Sequence, residues 1–321
     1  MKKILYLLMA ISSILLTISC AQEVPKHDVY VTVYPLKFLT EELFEDTNKT
    51  VDIVPGVTSH EHSAEWAPKQ IIAMKEAKLL FYVGANYDQY IDKKLNVFED
   101  GIVELIRIQD QDEYIEYIPG VIHSHEHDHE DEATTEDEDA ALGIDPHFWI
   151  SPKRMLDVLD LIYDQLVEKF PIQKDTIDSN YISLKASLEE LHIDYEEALV
   201  ALNRPVLTST NLYGYLREDY GLDFIPISPG YHEEPDNMLP DETEKLIQEI
   251  IRHHITIIIY EKNRTSPASD NIFAEMIQLE LDPAKRQFNI LQALTDEEIA
   301  NGKDYLTEMM ANLDVLIDAG R

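Results

Sequence analysis

The chain has 321 residues, 45% of them hydrophobic, and a formal net charge of −36 at neutral pH. That length suits two cores better than one, and the hydrophobic share is ordinary for a globular protein, so the acidity does not signal wholesale disorder. A surface this negative repels nucleic acid and phosphate-rich ligands and attracts cations, which excludes nucleic acid as a partner.

Residues 1–19 read as an export signal. Lys2 and Lys3 form the positive region, Ile4 to Ile18 supply a short apolar core, and Ser19-Cys20 resembles a cleavage site. The apolar stretch is too short for a stable transmembrane helix. Cys20 is the only cysteine, so an intramolecular disulfide is excluded. A lone thiol at the end of an export signal marks Cys20 as a bacterial lipoprotein acylation site. Thr17 holds the place where such sites usually have Leu, and Leu16 lies one further back. Residues 20–27 then form a lipid-anchored tether at the outer face of the cell membrane or in the periplasm.

Val29-Tyr30-Val31-Thr32-Val33 is β-branched and aromatic, a buried strand ended by Tyr34-Pro35-Leu36. Lys37 to Glu45 carries apolar residues at helical spacing. Thr50 to Val54 is a second strand, stopped by Pro55-Gly56. Pro68 to Ala77 is a helix with Pro68 in its first turn, and Leu79 to Val83 is a third strand ending at Gly84. After an acidic, His-rich stretch, Pro152 to Phe170 and Asp175 to Leu202 read as helices. The second of these is long enough to act as a rigid strut, roughly 40 Å at 1.5 Å per residue.

The rhythm then repeats. Pro205 to Thr208 is a strand, Leu212 to Tyr220 a helix, Asp223 to Ile227 a strand, Asp241 to His253 a helix, Ile255 to Tyr260 a strand, and Tyr305 to Ile317 the closing helix. Strands separated by helices imply parallel sheets. The expected class is therefore α/β: two parallel-sheet lobes joined by a long rigid helix, with a ligand cleft between them. The expected divisions are an N-terminal lobe at 28–150 with a His/acid-rich loop at 121–141, a helical segment at 151–203, and a C-terminal lobe at 204–321.

That loop holds His123, His125, His127 and His129, four of the 12 histidines, alternating with carboxylates. Neutral imidazole is the commonest protein ligand for zinc-like ions, and flanking carboxylates attract cations. No packed core absorbs such a run, so it is solvated and gathers metal. His60 and His62 follow the second strand, on a loop facing the cleft. In Asp145-Pro146-His147, Pro146 restricts the backbone and Asp145 is placed to orient the imidazole. Each histidine alone reads equally as an ordinary loop residue; together, on one edge, they point to a metal site. His253 and His254 end a helix, where a cation suits the dipole, and read as structural. His27 and His192 have no partner visible in the sequence.

At these residues the chain resembles the zinc/manganese-type substrate-binding lipoproteins of ABC importers. The resemblance rests on Val29 to Leu36, Val54-Pro55-Gly56 leading to a His, His62-Ser63-Ala64-Glu65-Trp66-Ala67-Pro68, and Ala77 to Ala85. It continues through Asp145-Pro146-His147-Phe148-Trp149-Ile150-Ser151-Pro152, Tyr213-Gly214-Tyr215-Leu216 and Asp304 to Leu313. It thus runs over nearly the whole mature chain. It implies a first ligand at His62, which has Glu and Pro at the family's spacing, or at His60, which lies better when counted from Pro55-Gly56. It implies a second ligand at His147. The family's third and fourth ligands fall on Thr210 and Asn289, neither a good zinc ligand, so His232 is the leading substitute. Glu261 matches a Glu common in the family.

The resemblance implies capture of Zn²⁺, with Mn²⁺ as the second candidate, and delivery to an ABC permease by a monomeric, membrane-anchored protein. Nitrogen ligands favour zinc over manganese. An open coordination position also suits a metalloenzyme, but the chain offers no His-Glu-x-x-His helix, nucleophile motif or paired general base, so no enzymatic activity is expected. A metal-storing or adhesive surface lipoprotein is the remaining alternative, suggested by the altered second-lobe positions.

Overall fold

The computed structural model describes residues 24–57, 64–120, 143–231 and 239–321. The export signal, Cys20, His60, His62, His123, His125, His127, His129 and His232 lie outside the described residues.

The chain builds two four-stranded sheets. The first contains β1 (Val29–Val31), β2 (Val51–Ile53), β3 (Leu79–Tyr82) and β4 (Glu104–Arg107), ordered β2-β1-β3-β4; the second contains β5 (Val206–Thr208), β6 (Phe224–Pro226), β7 (Ile257–Glu261) and β8 (Ala284–Phe288), ordered β6-β5-β7-β8. Every pairing is parallel. The connecting helices are α1 (Tyr34–Leu43), α2 (Pro68–Lys75), α3 (Gln89–Asp92), α4 (Pro152–Lys169), α5 (Lys174–Val200), α6 (Gly214–Tyr220), α7 (Pro240–Arg252), α8 (Pro267–Gln278), α9 (Asp296–Ala300) and α10 (Tyr305–Gly320). The expected class, two parallel α/β lobes joined by a long helix, is what the chain adopts. No described helix is long and apolar enough to cross a membrane.

Two details differ from the sequence reading. Tyr34-Pro35-Leu36 opens α1 instead of ending β1, with the proline in the first turn, where its missing N–H removes no helical hydrogen bond. The strands β4 and β8 and the helices α3, α8 and α9 are absent from the sequence reading. In β8 the side chains alternate between exposed and partly buried up to Phe288, so a short outer strand carries little of the apolar run that marks a central one.

Helix α5 has 27 residues and spans about 40 Å. Its buried positions Ile177, Leu184, Leu188, Leu191, Tyr195 and Leu199 fall three, four or seven apart, which makes one apolar stripe. That stripe packs against α4, against α1 of the first lobe and against α10 of the second. Hydrogen bonds also join the lobes directly. Trp149 donates its indole N–H to the Ile290 carbonyl at 2.8 Å, and Tyr305 donates its hydroxyl to the Trp149 carbonyl at 2.7 Å. One apolar cluster runs from Val29 through α4 and α5 to Ala319.

In each sheet the first strand in sequence lies between the second and third. The chain therefore leaves β1 and β3, and likewise β5 and β7, toward opposite sides. The carboxyl ends of such strand pairs form the crevice where open α/β sheets hold ligands.

Candidate metal site between the lobes

At the carboxyl end of the second sheet, β5 runs into Ser209-Thr210 and β7 ends on Glu261. The two strands are hydrogen-bonded neighbours, with Thr208 opposite Ile259, so Thr210 and Glu261 emerge side by side. The Thr210 hydroxyl donates to Glu261 Oε1 at 2.5 Å. Glu261 Oε2 faces Nε of Arg264 at 3.2 Å. Only 2% of Glu261 is exposed. Burial pushes its carboxyl above the usual range; the Thr210 hydrogen bond, the Arg264 guanidinium and His147 pull it back.

His147 comes from the first lobe and is close enough to Glu261 to lower its carboxyl. It precedes a short 3₁₀ turn, Phe148–Ile150, and is wholly buried. Asp145 Oδ1 lies 2.8 Å from its Nδ1 and also accepts its backbone N–H at 2.9 Å. Tyr215 of α6 fixes that segment by donating its hydroxyl to the Asp145 carbonyl at 2.9 Å. A carboxylate at Nδ1 keeps the proton of the neutral ring there and leaves Nε2 as the lone-pair donor. That is the form a metal needs. The imidazole sits among Tyr87, Trp149 and Tyr231, at ring-centroid distances of 6.2, 5.3 and 5.1 Å.

The first sheet contributes a buried acid. Asp88 Oδ2 accepts the N–H of Val83 at 2.5 Å, that of Gly84 at 3.2 Å and the Thr32 hydroxyl at 3.2 Å; Tyr90 donates to Oδ1 at 3.3 Å. These groups follow β1 and β3, so Asp88 ties the carboxyl ends of the two strands together. Desolvation raises its carboxyl to about 7, against the four hydrogen bonds that lower it. Tyr87 and Tyr231 beside His147, and Arg264 beside Glu261, are neighbours of the candidate site that the sequence reading missed, as it missed the Asp88 link between strand ends. An acid after a Gly-containing turn, and a base three residues beyond Glu261, were the available signals.

The sequence candidates thus separate. Thr210 and Glu261 are in direct contact, and His147 is close enough to lower the Glu261 carboxyl. Asn289 is committed elsewhere: its Nδ2 donates to Glu308 Oε2 at 2.5 Å and its Oδ1 accepts the Leu291 N–H at 3.0 Å. His27 lies 3.6 Å from Asp52, His192 pairs with the Tyr220 hydroxyl at 2.9 Å, and His253 caps α7. Among the described residues no group of three His, Cys, Asp or Glu side chains is placed to hold one ion. His147 and Glu261 provide an imidazole and a carboxylate; His60, His62 and His232 fall at 58–63 and 232–238, outside the described residues.

The family model described as zinc-uptake complex component A, periplasmic (ZnuA), matches residues 29–319. The zinc-binding lipoprotein AdcA of Streptococcus pneumoniae is 26% identical over 326 residues, covering 98% of this chain and 60% of AdcA. The chain therefore spans about 60% of the length of that relative. The high-affinity zinc uptake system protein ZnuA of Bacillus subtilis is 26% identical over 302 residues, covering 92% of this chain and 88% of that one. Among solved structures, the Zn(II)-bound ZnuA-like domain of Streptococcus pneumoniae AdcA superposes with a TM-score of 0.68 at 22% identity, covering 92% of this chain and 99% of that domain. A match that runs from the first strand of one lobe to the last helix of the other, through both halves of the site, makes this chain a member of the ZnuA family.

Proposed function

We propose that the protein is the extracytoplasmic receptor of a zinc ABC importer, which captures Zn²⁺ between its lobes and hands it to a membrane permease. The observation that carries this reading is His147, preset by Asp145 at 2.8 Å, facing toward the buried Glu261 of the opposite lobe closely enough to draw its carboxyl down. His62, or His60 in its place, completes the imidazole set from the first lobe, and His232 is the further candidate from the second. Thr210 acts by holding Glu261, and Asn289 takes no part in ligation. Imidazole nitrogen favours zinc, with Mn²⁺ a weaker cargo.

The division at 150 and 203, acylation at Cys20, a monomeric state and the absence of an enzymatic reaction belong to the same proposal. So does a metal-gathering role for His123, His125, His127 and His129. The test is a Zn²⁺ titration of the purified protein against a competing chelator. Tight binding of one ion that disappears in His147→Ala is expected. Full affinity in that variant, or no saturable binding at micromolar metal in protein lacking residues 121–141, overturns the reading.

A further inference from the structure

Oε2 of Glu261 accepts no hydrogen bond among the described residues, yet neither carboxylate oxygen stands alone. Thr210 holds one oxygen, and the Arg264 guanidinium lies 3.2 Å from the other. Arg264 belongs to the gap between the lobes as well as to β7's following turn. Tyr87, the first-lobe ring beside His147, is raised by burial and by Asp88 and pulled back by the Arg264 charge.

We propose that Arg264 is a built-in competitor for the metal: its guanidinium neutralises Glu261 when no ion is bound, and Zn²⁺ must displace it to reach Oε2. The inference deepens the zinc-receptor reading and rests on it. A carboxylate this buried is costly without a cation. A divalent ion and a guanidinium on the same oxygen place three positive charges on one carboxylate, so each excludes the other. Arginine cannot escape by losing its proton; it has to move.

There is room for it to do so. Arg264 lines a cavity of about 230 Å³ that also contains Tyr260 and the Asp270 carboxylate. Lys285 and Arg286 share that cavity, but the Asp270 and Asp318 carboxylates are already paired with them, so the displaced guanidinium finds no uncommitted anion there and keeps a drive to return to Glu261. Affinity is thereby held below what the ligands alone give, and release is assisted. A receptor that must hand its cargo on needs both.

The experiment titrates the purified protein with Zn²⁺ against a chelator and follows release by stopped flow, for the wild type, Arg264→Met, Arg264→Lys and each in a Glu261→Gln background. Arg264→Met is expected to bind zinc roughly tenfold more tightly and to release it more slowly, the scale of one coupled charge pair. In the Glu261→Gln background the same substitution is expected to change nothing. Should the methionine variant fail to fold, Arg264→Lys decides, because its shorter reach weakens the pair and also tightens zinc binding. Unchanged or weaker binding in the folded variant overturns the proposal, as does a gain that persists without the Glu261 carboxylate. A wild-type protein that binds no zinc at all sinks the receptor reading instead.

Discussion

Asp145 Oδ1 stands 2.8 Å from Nδ1 of His147 and accepts the backbone N–H of the same residue at 2.9 Å. One oxygen therefore fixes both the ring and the chain that carries it. Asp145 does not need to touch an ion to matter, since it sets which nitrogen is the donor and where it points. Replacing it with Asn keeps the shape and removes the charge that favours the required tautomer. Asp145→Asn is expected to weaken zinc binding about 10–100-fold, the usual scale for such supporting partners, with thermal stability little changed. Chelator competition and a melting curve check both halves. Undiminished affinity would show that His147 is oriented by packing alone.

A second prediction concerns the join between the lobes. Arg154 of α4 grips Asp219 of α6 in two places, Nε to Oδ2 at 2.9 Å and Nη2 to Oδ1 at 2.7 Å. Ser151 donates its hydroxyl to the same carboxylate at 2.7 Å, and Arg154 also donates to the Glu116 carbonyl at 3.0 Å. The Asp219 carboxylate is wholly buried. Removing one partner of such a pair leaves an uncompensated charge, which costs about 3–5 kcal/mol. Asp219→Ala is expected to lose stability on that scale in denaturant unfolding. The double variant Arg154→Met/Asp219→Ala should recover much of it, because no orphaned charge remains. A neutral single variant would mean that water reaches the site on replacement.

Asp88 gives the molecule a pH signature. Its carboxyl is raised to about 7 by burial, whereas an unfolded chain leaves it near 4. Below that lower value it is protonated in both states. As pH rises between the two values, the unfolded state gives up the proton and the folded state keeps it, so folding is progressively penalised until the pH passes about 7. A shift of about three units corresponds to about 4 kcal/mol at most. The neighbours on every side are Thr32, Tyr90 and backbone N–H groups, with Tyr87 close by; none is a cation that would reverse the sign. Asp88→Asn is expected to melt lower than, or level with, the wild type near pH 4 and to gain on it steadily up to pH 8. Parallel curves over that range would place the ionised carboxylate in a better-solvated setting than its burial implies.

The central strands were legible because they are buried on both faces and read as continuous β-branched runs. Val29 to Val31 and Ile257 to Tyr260 announce themselves in this way. The outer strands did not. Glu104 to Arg107 has one fully buried position and a polar residue at each end, a pattern shared by many surface turns. The Asp-Pro-His context led to the expectation that Asp145 orients the His147 ring, and Asp145 Oδ1 does lie 2.8 Å from its Nδ1. Asp88 could not have been found so directly. Thr32, which helps hold it, lies 56 residues away, and only the parallel pairing of β1 with β3 brings them together. Arg264 was hidden for a different reason, since a base three residues after an acid is common on any polar turn. Its importance comes from the burial of Glu261, which strand periodicity alone does not reveal.

The remaining prediction separates the tight site from the histidine-rich segment. The chain on either side of residues 121–142 is already closed. Pro119 bridges to Ile144, the Asp145 N–H donates to the Ile118 carbonyl at 3.0 Å, and the Gly120 N–H to that of Gly143. Gly120 and Gly143 are thus already paired, so a short linker in place of residues 121–141 is expected to leave Asp145 and His147 undisturbed. The excised stretch takes His123, His125, His127 and His129 with it. A run in which four imidazoles alternate with carboxylates offers several interchangeable donor sets, each expected to bind zinc more weakly than one preset site. The shortened protein is expected to lose its weak zinc equivalents and retain one tight ion, with its melting temperature within a few degrees of the parent's. Isothermal titration against a chelator resolves the two classes. If the tight ion vanishes with the segment while the fold survives, the zinc is held by those histidines and the gap between the lobes has another use.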